Sequence, residues 1–597
     1  MGSQKKHTEA SPEHGEHKLN QFFATAICGN DILSSALYVS SVAIIFTGVY
    51  APIILLMICL VLFFYKSVYT EVVEALPVNG GAYNCLLNAT AKPIAATAGV
   101  MTILSYVATA CISGVDGVAY MKSIFTMLPI IPITIVGLFG FAMLVIAGIK
   151  DSAKVALGIF AFHIAILAIF LILGAVYLLH GHSYFLQNLQ YTMHTIIREP
   201  KGILSLKGIL PTIVLGFSAS LLGVSGFESS ANFVEEQKRG VFRKTLRNML
   251  IGVAIFNPLI ALVALNVMPF DAISASKDFL LADAAHILGG IVFKYAIAID
   301  AFLVLWGAVL TAFVGVSGLI YRMSADGCLP QFLTKQNNKG SFPIIVLAFF
   351  ALCSSILIMT KGNLLSLAGV YTIAFLGVMS SFAFGNLLLK ETRTDLKRTY
   401  NAPRLFVIFA FFSTFIGIIG NIIIDPTNLL YFSIYFVPAI LIAYGVIYED
   451  QIMKALLRMS KPVPAIHNFI NRQFTDLIKG EFVAFVWNAH RLAKILDYIN
   501  RNETGRNVTL VVCSTGEKQA YDKHFQEIKE TLPYIKKAGM FPNLNVSLLY
   551  KNQPFGPDVI AKVEEELHIR KNRMLIGSIH PHHPYEYSDL GGVRIIF

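Results

Sequence analysis

Two clusters of small and polar residues sit where an apolar chain accommodates them worst. They are Cys28-Gly29-Asn30-Asp31 within the first long apolar stretch and Gly223-Val224-Ser225-Gly226 within the sixth. A helix broken in hydrocarbon frees backbone amides and carbonyls, which is tolerated only where those groups line a cavity or hold a solute. Asp31 adds a carboxylate at bilayer depth, costly unless it is paired, hydrated, protonated or coordinating a cation. The competing role for Asp31 is to cap the amides of a frayed half-helix. Ser34, Ser35 and Ser225 offer hydroxyl oxygens beside freed carbonyls, the mixture hard cations prefer. Serines also bond harmlessly to their own helix. Tyr38, by its spacing from Asp31, stands out from Tyr120 and Tyr371, since aromatics at membrane depth are more often packing residues.

Further titratable side chains lie inside apolar runs. Asp116 on the third faces the same cost as Asp31, nearer the outer interface, and Asp300 on the eighth is expected at the hydrated outer end. Glu228 either touches solute or holds the inner half of the sixth run as part of a gate. His163 on the fifth can exchange a proton near neutral pH, or simply satisfy a neighbouring carbonyl. The chemistry these residues suit is reversible binding of a small polar or charged solute at the membrane midplane, coupled to a proton. No nucleophile–base set or metal constellation appears at a consistent depth, so an enzyme ranks low.

The elements that position them follow from composition. The chain has 597 residues, only 14% of them charged, and a mean hydropathy of +0.64. Its net charge of +11 is spread through alternate short loops, as topology requires, which argues against nucleic acid as a partner. The seven cysteines have no metal or disulfide spacing. Apolar windows predict about twelve spans, near 21–47, 50–75, 95–121, 128–149, 153–179, 208–233, 246–268, 286–320, 343–360, 364–389, 404–424 and 427–448. Lys238, Arg239, Arg243, Lys244 and Arg247 follow the sixth, Arg322, Lys335 and Lys339 the eighth, and Lys390, Arg393, Lys397, Arg398 and Arg404 the tenth. The positive-inside rule then places both termini in the cytoplasm of a plasma or inner membrane protein, with loop 180–207 (His180, His182, Arg198, Lys201) as an external exception. Spans one to five and six to ten, each an odd number, predict an inverted pair of repeats whose broken first helices face each other.

Residues 1–20 are expected as a disordered cytoplasmic tail, 21–448 as the transmembrane domain, 449–506 as an amphipathic linker and 507–597 as a small cytoplasmic α/β domain. The strands expected there are Asn507–Cys513, Val546–Tyr550, Met574–Ser578 and Val593–Phe597, with helices over Lys518–Lys537 and Asp558–Lys571. Gly516 and Gly577-Ser578 are weak signals for a regulatory nucleotide, and the domain is a candidate homodimer contact. His580, His582 and His583 read as a solvated loop because prolines interrupt them.

Three motifs carry a family resemblance. Pro77-Val78-Asn79-Gly80-Gly81-Ala82-Tyr83, Gly226-Phe227-Glu228-Ser229-Ser230-Ala231-Asn232 with Glu235 and Glu236, and Tyr321-Arg322-Met323-Ser324-Ala325-Asp326-Gly327-Cys328-Leu329-Pro330 resemble, in order and separation, the amino acid–polyamine–organocation (APC) transporters. The resemblance covers residues 20–450 and implies an all-α membrane protein with the five-plus-five inverted repeat of the LeuT-like fold and cation-coupled alternating access. The first span departs from the Gly-Ser-Gly-like run with which amino acid permeases of that superfamily hold a substrate carboxylate. Gly29-Asn30-Asp31 followed by Ser34-Ser35 and Tyr38 is instead similar to KimA-type potassium importers. That resemblance implies cation-coordinating roles for Asp31, Tyr38, Asp116 and Ser225 and matches the α/β tail in kind. It fails at span ten, where Ala368 stands in place of a coordinating tyrosine and Tyr371 lies a turn away. His163, counted from Ser152-Ala153-Lys154, occupies the place of the span-five lysine of proton-coupled amino acid permeases.

The leading expectation is therefore proton-coupled import of an amino acid or related small polar solute. Gly29, Asp31, Ser34, Ser35, Tyr38, Asp116, Ser225, Gly226 and Tyr371 would form its site, with His163 and Glu228 as coupling and gating residues. No cofactor beyond the coupling cation is called for. A KimA-like potassium–proton symporter is the first alternative and a permease-fold nutrient sensor the second.

Overall fold

The computed structural model describes residues 18–148, 153–198, 208–232, 234–394, 396, 398–478, 480–503, 505–513, 523–577, 590 and 593–595. The expectations that rest on 1–17, Ser152, Lys201, Lys397, Gly516, Ser578, His580, His582 and His583 lie outside them, as do the ends of the helix and strands expected at 518–522, 578 and 596–597.

Apolar runs set the helices, and local signals set their ends. Asn20 accepts from the amides of Phe22 and Phe23 to start span one. Proline in the first turn opens spans two (Ala51–Ala75), three (Lys92–Lys122), nine (Pro343–Met359) and twelve (Pro426–Ile447). Span four is Ile130–Ile146, five Ala153–Leu179, seven Phe242–Val267, ten Leu364–Thr392 and eleven Arg404–Ile424. Among the described residues this arrangement agrees with the dozen spans expected. Span eight differs: the helix Leu280–Ala325 is interrupted at Gly290, whose φ of 72° turns the chain. The span expected over 286–320 therefore begins only after that glycine, and a separate helix precedes it.

The packing repeats with the span number shifted by five. Spans one, two, three and four pack on six, seven, eight and nine, respectively; one packs on seven as two packs on six, and three on ten as eight on five. Such paired contacts are what an internal two-fold relating two five-helix repeats produces, and an odd helix count inverts one repeat relative to the other.

Among the described residues, the tail forms a five-stranded, parallel sheet of β1 (Glu481–Phe485), β2 (Asn507–Cys513), β3 (Asn545–Lys551), β4 (Met574–Ile576) and β5 (Arg594–Ile595), in the order β3-β2-β1-β4-β5. Helices cover both faces, with Leu496 and Ile528 on one side and Val559 and Val563 on the other. The central strand β1 corrects the expected boundary, because it lies inside the segment 449–506 read as linker. Its run Phe482-Val483-Ala484-Phe485 is buried on both faces, so it lacks the alternation that marks a half-exposed strand. Among the described residues, the helices Glu449–Met459 and Pro464–Ile478 separate span twelve from the sheet.

The tail docks on the membrane domain through charge. Lys92, at the start of span three, lies 2.9 Å from Glu503. Arg594 of β5 lies 2.7 Å from Glu503 and 2.8 Å from Asp326, just after span eight. Tyr83 donates to the other oxygen of Asp326 at 2.8 Å, and Val78 enters the core of the tail. A second buried carboxylate, Glu71 on span two, gathers Lys390 at 2.7 Å and Arg398 at 3.0 Å, which explains part of the basic cluster after span ten.

Candidate functional site

The first break falls later than the sequence suggested. Cys28, Gly29, Asn30 and Asp31 are helical within Gln21–Ser34, and the interruption is a single tight turn at Ser35 before the helix resumes over Ala36–Thr47. The polar cluster stays helical because its side chains find partners on span five. Asn30 donates to the Ala156 carbonyl at 2.9 Å, and Gly29 makes room for Phe160, whose ring would lie 2.5 Å from a Cβ there. Gly29 is thus at a helix contact. Ser34 and Ser35 donate to the carbonyls of Asp31 and Ile32 at 2.7 and 2.6 Å, satisfying their own helix.

The second break is where it was expected. Helix Ile209–Ser220 tightens over Leu221–Val224, Ser225 is extended, and Gly226 adopts φ +84° before a short 3-10 turn at Glu228–Asn232. A Cβ on Gly226 would stand 2.8 Å from the Ile32 nitrogen and 2.9 Å from the Asp31 carbonyl carbon. Glycine is required here twice over, by conformation and by the approach of one span's backbone to the other.

Around this crossing the polar side chains collect. Ser229 donates to Asp31 Oδ2 at 2.5 Å. The Ser225 hydroxyl bonds the Tyr371 phenol and is also a partner of Tyr38. Thr109 of span three donates to Tyr371 at 3.0 Å. Ser105, one turn earlier, donates to Glu228 Oε1 at 3.2 Å, while Glu228 Oε2 has no partner among the described residues. Spans one, three, six and ten therefore meet in a cluster of carboxyls and hydroxyls.

Asp116 is fully buried, and neither of its oxygens has a partner among the described residues. It lies within electrostatic reach of Tyr38 and Tyr120. Tyr120 itself donates to the Leu37 carbonyl at 2.7 Å, just past the span-one turn. His163 is also fully buried, with Nδ1 2.7 Å from Asp300 Oδ2 and Nε2 3.3 Å from the Leu33 carbonyl. Asp300 is not the hydrated outer residue expected from its sequence position; it is buried and paired. The pair ties spans five and eight to the span-one turn.

Ser105, Thr109, Ser229 and Asp300 escaped selection as site residues. Serine and threonine are common in membrane helices and carry no pattern of their own, and only a count of polar groups along one face of span three offered a signal. Ser229 belonged to a recognised motif but had no visible partner.

Residues 19–446 match the profile of the family described as Amino acid permease. The chain is also 25% identical over 361 residues to the potassium transporter KimA of Bacillus subtilis (strain 168). That alignment covers 58% of this chain and 57% of the relative, so the chain spans little more than half the length of the curated protein it matches.

Proposed function

The chain belongs to the amino acid permease family of the APC superfamily, a permease-type transporter and not an enzyme, and on that premise we propose that its solute is a monovalent cation, potassium first, moved together with protons. One observation carries the reading: the Asp31 carboxylate lies directly against the Gly226 break. An amino acid carboxylate needs freed amides at the first break. Here that stretch is helical, its place is taken by a side-chain acid, and the residues gathered beside it bring further carboxyls and hydroxyls. Such a wall suits a cation with oxygen ligands. The likeness to a potassium transporter supports the same choice.

In this reading Asp31, Tyr38, Asp116, Ser225 and Tyr371 face the ion, and Glu228 links span six to span three as the gate moves. The His163–Asp300 pair is the proton carrier, because a change in its charge alters the hold on the Leu33 carbonyl and so biases one orientation of the carrier over the other. The termini face the cytoplasm. The family's description favours a second reading, proton-coupled amino acid import, in which the carbonyls and amides freed at Gly223–Phe227 hold the solute.

Uptake into proteoliposomes decides between them. Rubidium accumulation driven by an inward proton gradient, with no flux of labelled amino acids, is the expected result. Amino acid flux without rubidium uptake overturns the proposal, and solute binding without any flux moves the protein to the sensor class.

A further inference from the structure

The apolar stripe on the outside of span twelve does not stop where the span does. Leu430, Ile434, Val437 and Leu441 stand exposed along it at the spacing of one helical face, which in a membrane span meets hydrocarbon. The chain turns at Tyr448 (φ −99°, ψ 19°) into the helix Glu449–Met459. Beyond that turn the spacing resumes, with Tyr448, Ile452, Leu456 and Met459 exposed, Met459 by 77%. The next helix, Pro464–Ile478, folds back on the first: His467 Nδ1 lies 3.2 Å from the Leu457 carbonyl, and the Lys454 ammonium stands over the Phe474 ring. It adds Ile466 and Phe469 to the exposed set, Phe469 by 65%. Apolar side chains gathered this way mark a face that something covers.

Position and charge say what covers it. Span twelve ends at Ile447 and the pair opens at Glu449, so whatever its direction the first turn stays within the roughly 5–8 Å of headgroup layer. From Gln451 to Thr475 the sequence holds four cations, Lys454, Arg458, Lys461 and Arg472, and no acid. Lys454 pairs with Asp450 at 2.9 Å, while Arg458, Lys461 and Arg472 are exposed. Apolar and basic residues sharing one short helix pair suit an anionic interface, where the first enter the acyl boundary and the second reach phosphates. A second copy of the chain on this face would bring the same cations together across a two-fold axis. We propose that the pair Glu449–Met459 and Pro464–Ile478 is a binding surface for anionic phospholipid in the leaflet where span twelve ends. Strand β1 begins at Glu481, directly after the pair, so lipid shares with the Arg594 ion cluster the task of holding the tail near spans three and eight. This does not depend on which solute is carried.

Tryptophan placed on the face tests the assignment, using full-length Phe469→Trp and, as a second probe, Met459→Trp, with folding of each checked by monodisperse elution. Each is reconstituted into vesicles of phosphatidylglycerol or of phosphatidylcholine containing lipid brominated on its acyl chains, and the wild-type emission of Trp306 and Trp487 is subtracted. Bromolipid is expected to quench the new tryptophan in phosphatidylglycerol and about threefold less in phosphatidylcholine. Replacing Arg458, Lys461 and Arg472 together by Gln should bring the first value down to the second. Equal quenching in the two lipids, or quenching indifferent to the triple substitution, overturns the proposal. So does a tryptophan that aqueous acrylamide quenches and bromolipid does not. A tryptophan shielded from both reagents also overturns it, because another protein surface then covers the face, and cross-linking between copies through Met459→Cys shows whether that surface is a second copy.

Discussion

Arg594 of the last strand lies 2.8 Å from Asp326 at the end of span eight, and both side chains are buried. With Glu503 and Lys92 they form an ion cluster joining the tail to spans three and eight. Removing one member of a buried pair strands the other charge, at a cost of about 3–5 kcal/mol. Arg594→Ala is therefore expected to release the tail. Limited proteolysis should cut the region between span twelve and β1 at least about tenfold faster in the variant. Unchanged cleavage would show that the Lys92–Glu503 pair and apolar contacts such as Val78 hold the tail without Arg594.

The same cluster sets a pH window. Burial by itself raises the Glu503 and Asp326 carboxyls, but Arg594 with Lys92 and Arg322 with Arg594, respectively, outweigh it and hold both below their ordinary values of 4.5 and 3.8. A carboxyl depressed in the folded state stabilises fully above its ordinary value, and that contribution fades as pH falls through the folded value. Tail docking should be constant from about pH 5 to 8 and weaken only in stronger acid. Cross-linking of a cysteine pair placed across the interface, followed over pH, checks this. Release of the tail between pH 6 and 7 would contradict it.

The spans and the second break were legible because hydropathy and the glycine at Gly226 are local properties of the sequence. The first break was misplaced because Asn30 and Gly29 resemble helix breakers until span five supplies the Ala156 carbonyl and the Phe160 ring. Asp300 was misread for the same reason. Its distance along span eight indicated hydration, while its partner His163 lies on a helix whose packing no single sequence reveals. Strand β1 was hidden because a strand buried on both faces has no alternation to find. Partners distant in sequence were invisible, and they decide what a buried polar residue does.

Coupling should depend on the His163–Asp300 pair. Replacing His163 by Gln keeps a hydrogen-bonding group near the Leu33 carbonyl but removes the imidazole. Proton-driven uptake is expected to fall about tenfold or more, while solute exchange across the membrane without a gradient persists. Asp300→Asn should behave alike. If both processes fall together, the pair holds the fold and carries no proton.

Gly226 offers the sharpest test of the crossing itself. Alanine there must adopt φ +84° and press its Cβ to within 2.8 Å of the Ile32 backbone. Backbone strain alone costs about 1–3 kcal/mol, and the contact adds to it by forcing spans one and six apart. Gly226→Ala should lower thermal stability in detergent and reduce transport about a hundredfold, since the Ser229 contact to Asp31 is lost with the approach. Asp31→Asn, which keeps an acceptor for Ser229 and the same volume, should abolish transport with stability nearly unchanged. The two variants thus separate geometry from charge. A functional Gly226→Ala protein would mean that the two spans need not touch for transport, and a functional Asp31→Asn protein would remove the carboxylate from the site.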